Sequence, residues 1–462
     1  MMGQLPAGQS ALFYDFCLDD YIPQDHFLRQ IDRILDLSEL RKHLAPFYSY
    51  TGRPSIDPEL TIRILIIGYC FGIRSERRLC EEVHLNLAYR WFCRLGLEEQ
   101  VPDHSTFSKN RHGRFRESDT LRFVFEQVLQ QCIAKGLVGG EGFAIDASII
   151  AADANRQRGV SQDEAIDWGE PKSVTRPVRE YLEGLNEENA YKTPPKRVSL
   201  TDPASQWTAA RGGPAYFAYS TNYLIDIDAG IIVDVEATPA NRRDEVNAAK
   251  TMIERTERRF KLKPNRLIGD TAYGTSEILA WMVEKKSIEP HVPLWEKGER
   301  SDGTFSRSDF IFDAVLDSYT CPDGKLLKRF HRKFKNQRLG VTKANAINYR
   351  AIQSDCTSCK MKARCCPNTP SRKVTRSVHE ATRDVVRRIK DTPGYQQSMK
   401  DRKKVEMLFA HLKRILKLDR LRLRGLSGAH DEFLLAATAQ NLRRMAKWCV
   451  HGPPYTVIGF AT

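Results

Sequence analysis

Gly142-Phe143-Ala144-Ile145-Asp146-Ala147-Ser148 is the stretch on which the fold turns. It alternates with the two-residue period of a strand. It also carries a carboxylate, Asp146, among apolar neighbours, where an ionised group is costly unless something partners it. Downstream, residues 155–213 are polar and rich in charge, Pro and Gly. They read as a loop or partly disordered insert, of a length that points to function or mobility. Residues 216–227 and 231–237 then form two strands around Asp228-Ala229-Gly230, a hairpin signal. Residues 248–260 are helical, and Arg266-Leu267-Ile268-Gly269-Asp270 is a short buried strand ending in a second acid.

The order is therefore strand, hairpin, helix, strand, with one acid on the first strand and another just after the fourth. That order matches the opening of a ribonuclease-H-like α/β fold, a mixed sheet flanked by helices. Upstream, residues 24–118 read as helix throughout. Asp57-Pro58 opens one helix, the aspartate as N-cap and the proline in the first turn, with Leu60, Ile64, Ile67 and Phe71 at helical spacing. Ser75 caps the next helix, and a short one through Leu87, Trp91 and Leu95 ends at Gly96. Pro102 to Phe107 forms a turn and cap before a helix bearing Lys109, Arg111, His112, Arg114 and Arg116. Short helices followed by a capped basic one suit a helix-turn-helix reader of DNA, in which Lys109, Arg111 and Arg114 would contact the duplex. An ordinary bundle with a basic exposed face is the plainer alternative.

Five segments follow: an N-terminal helical DNA-binding domain over 1–118, a first catalytic part over 119–289, an insertion over 290–395, a last catalytic part over 396–450, and a tail over 451–462.

Hydrophobic content of 41% and aromatic content of 9% are ordinary for a soluble protein. The longest apolar run, 62–73, is interrupted by Arg63 and two glycines and falls short of the roughly 20 residues that cross a bilayer. The first ten residues lack the pattern of a signal peptide, so a cytoplasmic, nucleoid-associated protein is expected. The net charge of +14 is unevenly placed. Residues 321–430 hold 29 Lys and Arg against 8 Asp and Glu, a net of +21, which leaves the remainder at −7. A block of that charge seeks a polyanion, and nucleic acid leads over an anionic membrane. No glycine-rich phosphate loop appears, so ATP use is not indicated.

Which acids could serve phosphodiester chemistry? Cleavage needs a polarised phosphate, an activated nucleophile and a stabilised leaving oxygen. Two Mg²⁺ ions about 3.5–4 Å apart supply all three. Mg²⁺ is hard and prefers carboxylate oxygen, so a few convergent acids suffice. Asp146 and Asp270 are two candidates, and Glu406 is a third. It lies in Arg402-Lys403-Lys404-Val405-Glu406-Met407-Leu408-Phe409-Ala410-His411-Leu412-Lys413. At helical spacing Arg402, Glu406 and Lys413 share a face, and Val405, Phe409, Leu412 and Leu416 form the apolar face that would seat the helix on a sheet. The plainer readings are a turn residue for each aspartate and a surface ion pair for the glutamate.

Taken together, these motifs resemble the bacterial insertion-sequence transposases of the DD(E) class, in the branch with an N-terminal helical domain and a cysteine-bearing insertion. The first acid follows Ala144-Ile145, and the second opens Asp270-Thr271-Ala272-Tyr273. The third belongs to a Tyr-(2)-Arg-(3)-Glu-(6)-Lys signature, met by Arg402, Glu406 and Lys413 but with Met399 in the tyrosine position. Ala237 to Arg242 also looks typical of the branch. The resemblance spans about Phe13 to Lys447. It implies a metal-dependent enzyme that binds the inverted repeats ending its own element, hydrolyses a strand at each end, and joins the freed 3′-hydroxyl to target DNA. Asp146, Asp270 and Glu406 would be the catalytic, metal-binding acids, with two Mg²⁺ or Mn²⁺ ions. Arg402, Lys413 and Tyr273 would contact DNA near the scissile bond. A homodimer is implied by the need to pair two ends. The alternative is a DNA-binding protein or inactive remnant without catalysis.

Eleven cysteines fall into two groups. Six, Cys17, Cys70, Cys80, Cys93, Cys132 and Cys449, are scattered among apolar neighbours and read as buried reduced thiols. Cys356-x2-Cys359, with Cys365, Cys366 and the earlier Cys321, has the paired look of a structural zinc site. Cys321, Cys356, Cys359 and either Cys365 or Cys366 would be the ligands, Cys365 being the one assigned. Trp295, near basic residues, could stack on an unpaired base, although core packing is the commoner role of such a residue.

Overall fold

The computed structural model describes residues 16–49, 51–52, 55–161, 164, 166–170, 173–186, 196–209, 212–295, 300, 302–330, 340–342 and 345–451. The first residues, weighed above for a signal peptide, and all but the first residue of the expected tail lie outside them. In chain order the main N-terminal helices are α1 (Phe27–Ile34), α2 (Pro58–Phe71), α3 (Glu76–Leu85), α4 (Leu87–Phe92), α5 (His104–His112) and α6 (Thr120–Ala134). Strands β1 (Gly142–Ala151), β2 (Gly159–Ser161), β3 (Arg197–Ser199), β4 (Gln206–Ala209), β5 (Ala215–Asp226) and β6 (Ile232–Pro239) follow, with α7 (Arg176–Asn186) between β2 and β3 and α8 (Arg242–Phe260) after β6. Next come β7 (Arg266–Ile268), β8 (Glu289–His291), β9 (Ile311–Asp313), β10 (Ser318–Thr320), β11 (Leu326–Arg329), β12 (Ala346–Ala351) and β13 (Lys373–Ser377). The last main helices are α9 (Glu380–Lys390), α10 (Pro393–Arg414) and α11 (Gly425–His451). The fold is α/β, with helices preceding a strand–hairpin–helix–strand series in the ribonuclease-H-like order. No helix among the described residues is long and apolar enough to cross a membrane.

The chain divides into two compact units, Met1–Lys263 with Lys403–Thr462, and Pro264–Arg402. In the first, β1 and β5 pair antiparallel from Phe143↔Asp226 to Ala151↔Ala218. The β5–β6 hairpin closes through Gly230 at φ +68°, and Asp226 accepts from the Asp228 backbone amide at 3.0 Å. A β4 strand flanks β5 on its own account, also antiparallel. The core helix is α11, whose residues from Phe433 to Ala437 are all buried. It packs on α1, α2, α6, β5 and β6, so the helices of the expected 1–118 segment share one unit with the strands.

Local chemistry explains the N-terminal elements. Asp57 accepts from the Glu59 amide at 2.7 Å with Pro58 in the first turn, and Ser75 and Asp103 cap α3 and α5 in the same way. Helix α2 is buried from Thr61 to Cys70 rather than along one stripe, because it has neighbours around it. Two boundaries differ from the sequence reading. Helix α4 stops at Phe92, since Arg94 adopts φ +60°; the expected basic helix is cut at Gly113, and Arg114–Glu117 forms a separate turn. The polar stretch 155–213, expected as a loop, also holds structure. Strands β2 and β3 pair antiparallel, α7 lies between them, and β4 joins β5.

In the second unit β7 and β8 are parallel, Ile268 facing His291. A separate five-stranded antiparallel sheet runs β13-β12-β11-β10-β9. Its core is Phe310, Tyr319, Leu327, Tyr349 and Val374, completed by cysteines.

Candidate active site

Strand β1 changes character along its length. Phe143, Ala144 and Ile145 are buried, whereas Asp146 through Ile149 are half-buried. Asp146 is therefore the first residue of the strand that solvent reaches. Its Oδ1 accepts from the Ala147 backbone amide at 2.9 Å. Directly across the ladder stands Tyr223 of β5. Residues paired in this way project from the same face of a sheet. The Tyr223 ring is fully buried and stacks on Phe409 of α10, centroids 5.2 Å apart and planes 14° off parallel. Helix α10 thus lies over the face that carries Asp146.

The same helix carries Glu406, three residues before Phe409. Val405, Leu408, Phe409 and Leu412 are buried, and Leu416 just past the helix as well, so the expected apolar face seats the helix. Glu406 is exposed. One helical turn spans about 5.4 Å, so Glu406 stands about a turn from the ring that packs beside Asp146. These two acids, remote in sequence, are brought to one side of one sheet.

Asp270 belongs to the second unit. It follows β7, is half-buried, and caps a one-turn helix by accepting from the Ala272 amide at 2.7 Å. Gly274 closes that turn, and a Cβ there would come within 2.1 Å of the Pro293 carbonyl oxygen. Only glycine lets the 293–295 segment pass so close, and the Trp295 amide uses the approach to donate to the Gly274 carbonyl at 3.3 Å.

The proposed DNA contacts divide. Arg402 is half-buried on α10. Lys413 is half-buried too, and burial lowers its ammonium pKa while Asp419 acts the other way. Lys109 is exposed. Arg114 is tied at 2.7 Å to Ser55 and 2.9 Å to Asn110, over the Tyr48 ring. Two expectations need correcting. Arg111 is buried, ion-paired with Glu76 at 2.7 Å and bonded to the Tyr69 hydroxyl at 3.2 Å, so it ties α5 to α2 and α3 instead of reaching a duplex. Tyr273 is 2% exposed and is a core residue, with no ring face open to DNA.

The sequence reading missed a cavity of about 640 Å³ in the second unit. Trp295, Arg300, Arg307, Arg372, Lys373 and Arg383 line it, against the acids Glu277 and Glu380. Glu380 is 2% exposed, and the single oxygen Oε1 receives Arg307 at 2.6 Å, Arg387 at 2.8 Å and Arg383 at 3.3 Å. One carboxylate among three guanidiniums leaves the wall positive. The close spacing of basic residues over 372–388 was the available signal.

Two donor sets fit metals by type. The carboxylates are hard oxygen donors suited to Mg²⁺, and the clustered cysteines are soft donors suited to Zn²⁺. Among the described residues no group of three or more His, Cys, Asp or Glu is placed where it could hold a metal ion.

Comparison with known proteins gives two family matches. Residues 16–113 match a "Transposase domain (DUF772)" and residues 320–446 a "Transposase DDE domain". The second span contains Glu406. No curated protein matches the chain. Among solved structures, the chain is similar to a piggyBac transposase synaptic complex with hairpin DNA, at 9% identity and a TM-score of 0.32, over 93% of this chain and 83% of that one. It is also similar to a Mos1 transposase paired-end complex with left transposon end, at 9% identity and a TM-score of 0.16, over 53% and 60%. At such scores the fold rests on the order and pairing of its own elements.

Proposed function

From the two transposase-domain matches, we propose that this chain is a DDE transposase that binds the terminal inverted repeats of its own element and cuts and rejoins DNA there, with Asp146, Asp270 and Glu406 as the metal-binding carboxylates. The observation that carries this reading is the Tyr223–Phe409 stack, which sets Asp146 and Glu406 on one side of one sheet. An exposed glutamate beside a half-buried aspartate suits chemistry on a large substrate that arrives from solvent. A pair of bound Mg²⁺ or Mn²⁺ ions would polarise the phosphate and lower the pKa of a coordinated water.

The chain's own groups do the rest. The three acids would supply the oxygen ligands that hold such ions beside the scissile phosphate, where the nucleophile would be first water and then the freed 3′-hydroxyl. Arg402 and Lys413, on the face of α10 that bears Glu406, hold adjacent phosphates. Lys109 meets the duplex from α5. The block of +21 over 321–430 attracts the DNA backbone. Two copies are expected in the complex that pairs two ends.

The test is cleavage of DNA bearing the element's flanking ends, with Mg²⁺ or Mn²⁺. Nicking at the end junctions should fall about 100-fold or more in Asp146→Asn and in Glu406→Gln, because a lost ligand removes several kcal/mol of charge stabilisation. Tight end-specific binding without cutting by the unaltered chain would favour a DNA-binding protein that lacks catalysis.

A further inference from the structure

Five cysteines of the second unit, Cys321, Cys356, Cys359, Cys365 and Cys366, line one cavity of about 20 Å³. All are free thiols. Cys321 leaves β10 in a tight turn, where Gly324 takes φ +75° and the Lys325 amide donates to the Cys321 sulfur at 3.3 Å. Cys359 sits in a second turn, between the short helices Gln353–Thr357 and Lys362–Cys365, and the Met361 amide donates to its sulfur at 3.3 Å. The Arg372 backbone neighbours Cys356. At Cys356 and Cys359 burial outweighs this backbone contact and raises the thiol pKa. Cys366 neighbours both Cys356 and Cys365, and Cys321 neighbours Cys359.

We propose that this cluster is a structural zinc site, with thiolates from Cys321, Cys356 and Cys359 and the fourth from the Cys365–Cys366 pair. Three physical features support it. The site is all sulfur, soft in the way Zn²⁺ accepts and Mg²⁺ does not. Four thiolates around one Zn²⁺ leave two negative charges, and the cavity wall supplies Lys325, Lys362 and Arg372, against Asp355, to offset them. The sheet β9–β13 also has a small core, and three of the cysteines belong to it. A small sheet with so few large apolar side chains gains from a metal staple.

Burial raises the pKa of the Cys365 thiol, and its cysteine neighbours add to the rise. Zinc binds thiolates, so each ligand thiol would give up its proton to solvent as its sulfur–zinc bond forms, with no change of oxidation state.

The experiment is metal analysis of the full-length protein purified in reducing buffer, with Co²⁺ substitution as a spectroscopic second reading. About one zinc per chain is expected, and Co²⁺ should give sulfur-to-metal charge-transfer absorption. The double variants Cys356→Ser with Cys359→Ser, and Cys365→Ser with Cys366→Ser, should each lose the ion, while Asp146→Asn keeps it. Zinc-free unaltered protein with no cobalt absorption overturns the proposal, as does full zinc in both double variants. Neither readout involves DNA cleavage, so the site stands or falls apart from the transposase reading.

Discussion

Asp202 is a carboxyl at 0% exposure, outside every catalytic role assigned above. Its Oδ1 accepts from the Tyr219 hydroxyl at 2.5 Å and the Gly425 amide at 3.1 Å, and its Oδ2 has no hydrogen-bond partner. Burial pushes its pKa up to about 7, outweighing the Tyr219 and Gly425 bonds and Arg424, which lower it, while Asp153 raises it. The unfolded group titrates at about 3.9. Between those values the folded state holds a proton that the unfolded state has lost, so stability falls as pH rises through this window. His430 works in the opposite sense: burial first, then Arg122 and Arg255, push it down to about 3. Its contribution is present above about 6.5 and is lost as pH falls through that window. Asp202→Asn keeps an acceptor for Tyr219 and Gly425 and removes only the titration. Relative to the unaltered protein it should be more stable at pH 8 than at pH 4.5, in urea melts read at constant m. Parallel stability profiles for the two proteins would show that Asp202 is ionised in the fold and that this account is wrong.

Strand β6 shows how elements are locked together. Asp234 on it pairs with Arg122 of α6 at 2.5 Å and with Arg255 of α8 at 2.7 Å. Asn441 of α11 is fully buried and completes the strand as a backbone would, accepting from the Ile232 amide and donating to the Ile232 carbonyl, both at 2.8 Å. Asn441→Leu leaves both groups buried and unpaired, at about 1–3 kcal/mol each. Asp234→Ala strands a buried guanidinium and should cost about 3–5 kcal/mol. Each change should lower the urea midpoint, and an unmoved midpoint would deny the lock. Elements set by neighbouring residues were legible in the sequence: the caps at Asp57, Ser75 and Asp103, the hairpin at 228–230, and the apolar face of α10. What depends on distant partners was not. The pairing of Gly159 with Ser199 makes structure of a polar stretch that reads as loop. Arg111 looks like a DNA contact until Glu76, on another helix, is seen to hold it. The acids Asp146, Asp270 and Glu406 could be picked by type and order, but that α10 lies over the sheet face bearing Asp146 shows only when Tyr223 meets Phe409.

Charge is the property that belongs to the whole molecule. A chain with +21 in one block and −7 elsewhere has a strongly uneven field, and its association with DNA should release many counterions. If six to ten phosphates are neutralised, affinity for end DNA should drop about 10³-fold or more between 50 and 200 mM salt. The wall of the large cavity in the second unit offers a place to dissect this. Arg307, Arg383 and Arg387 crowd on Glu380, so removing any of them would unbalance a buried cluster and confuse folding with binding. Arg300 and Lys373 line the same cavity but are exposed, and exposed cations contribute little to folding. Replacing both with alanine should therefore leave the urea midpoint in place. If each neutralises one phosphate, the slope of log K against log salt should become shallower by about 2. Weaker binding with the slope unchanged would mean that these side chains act by shape or hydrogen bonding, not charge. Unaltered affinity and slope together would turn this wall away from the DNA and leave the rest of the basic block to carry it.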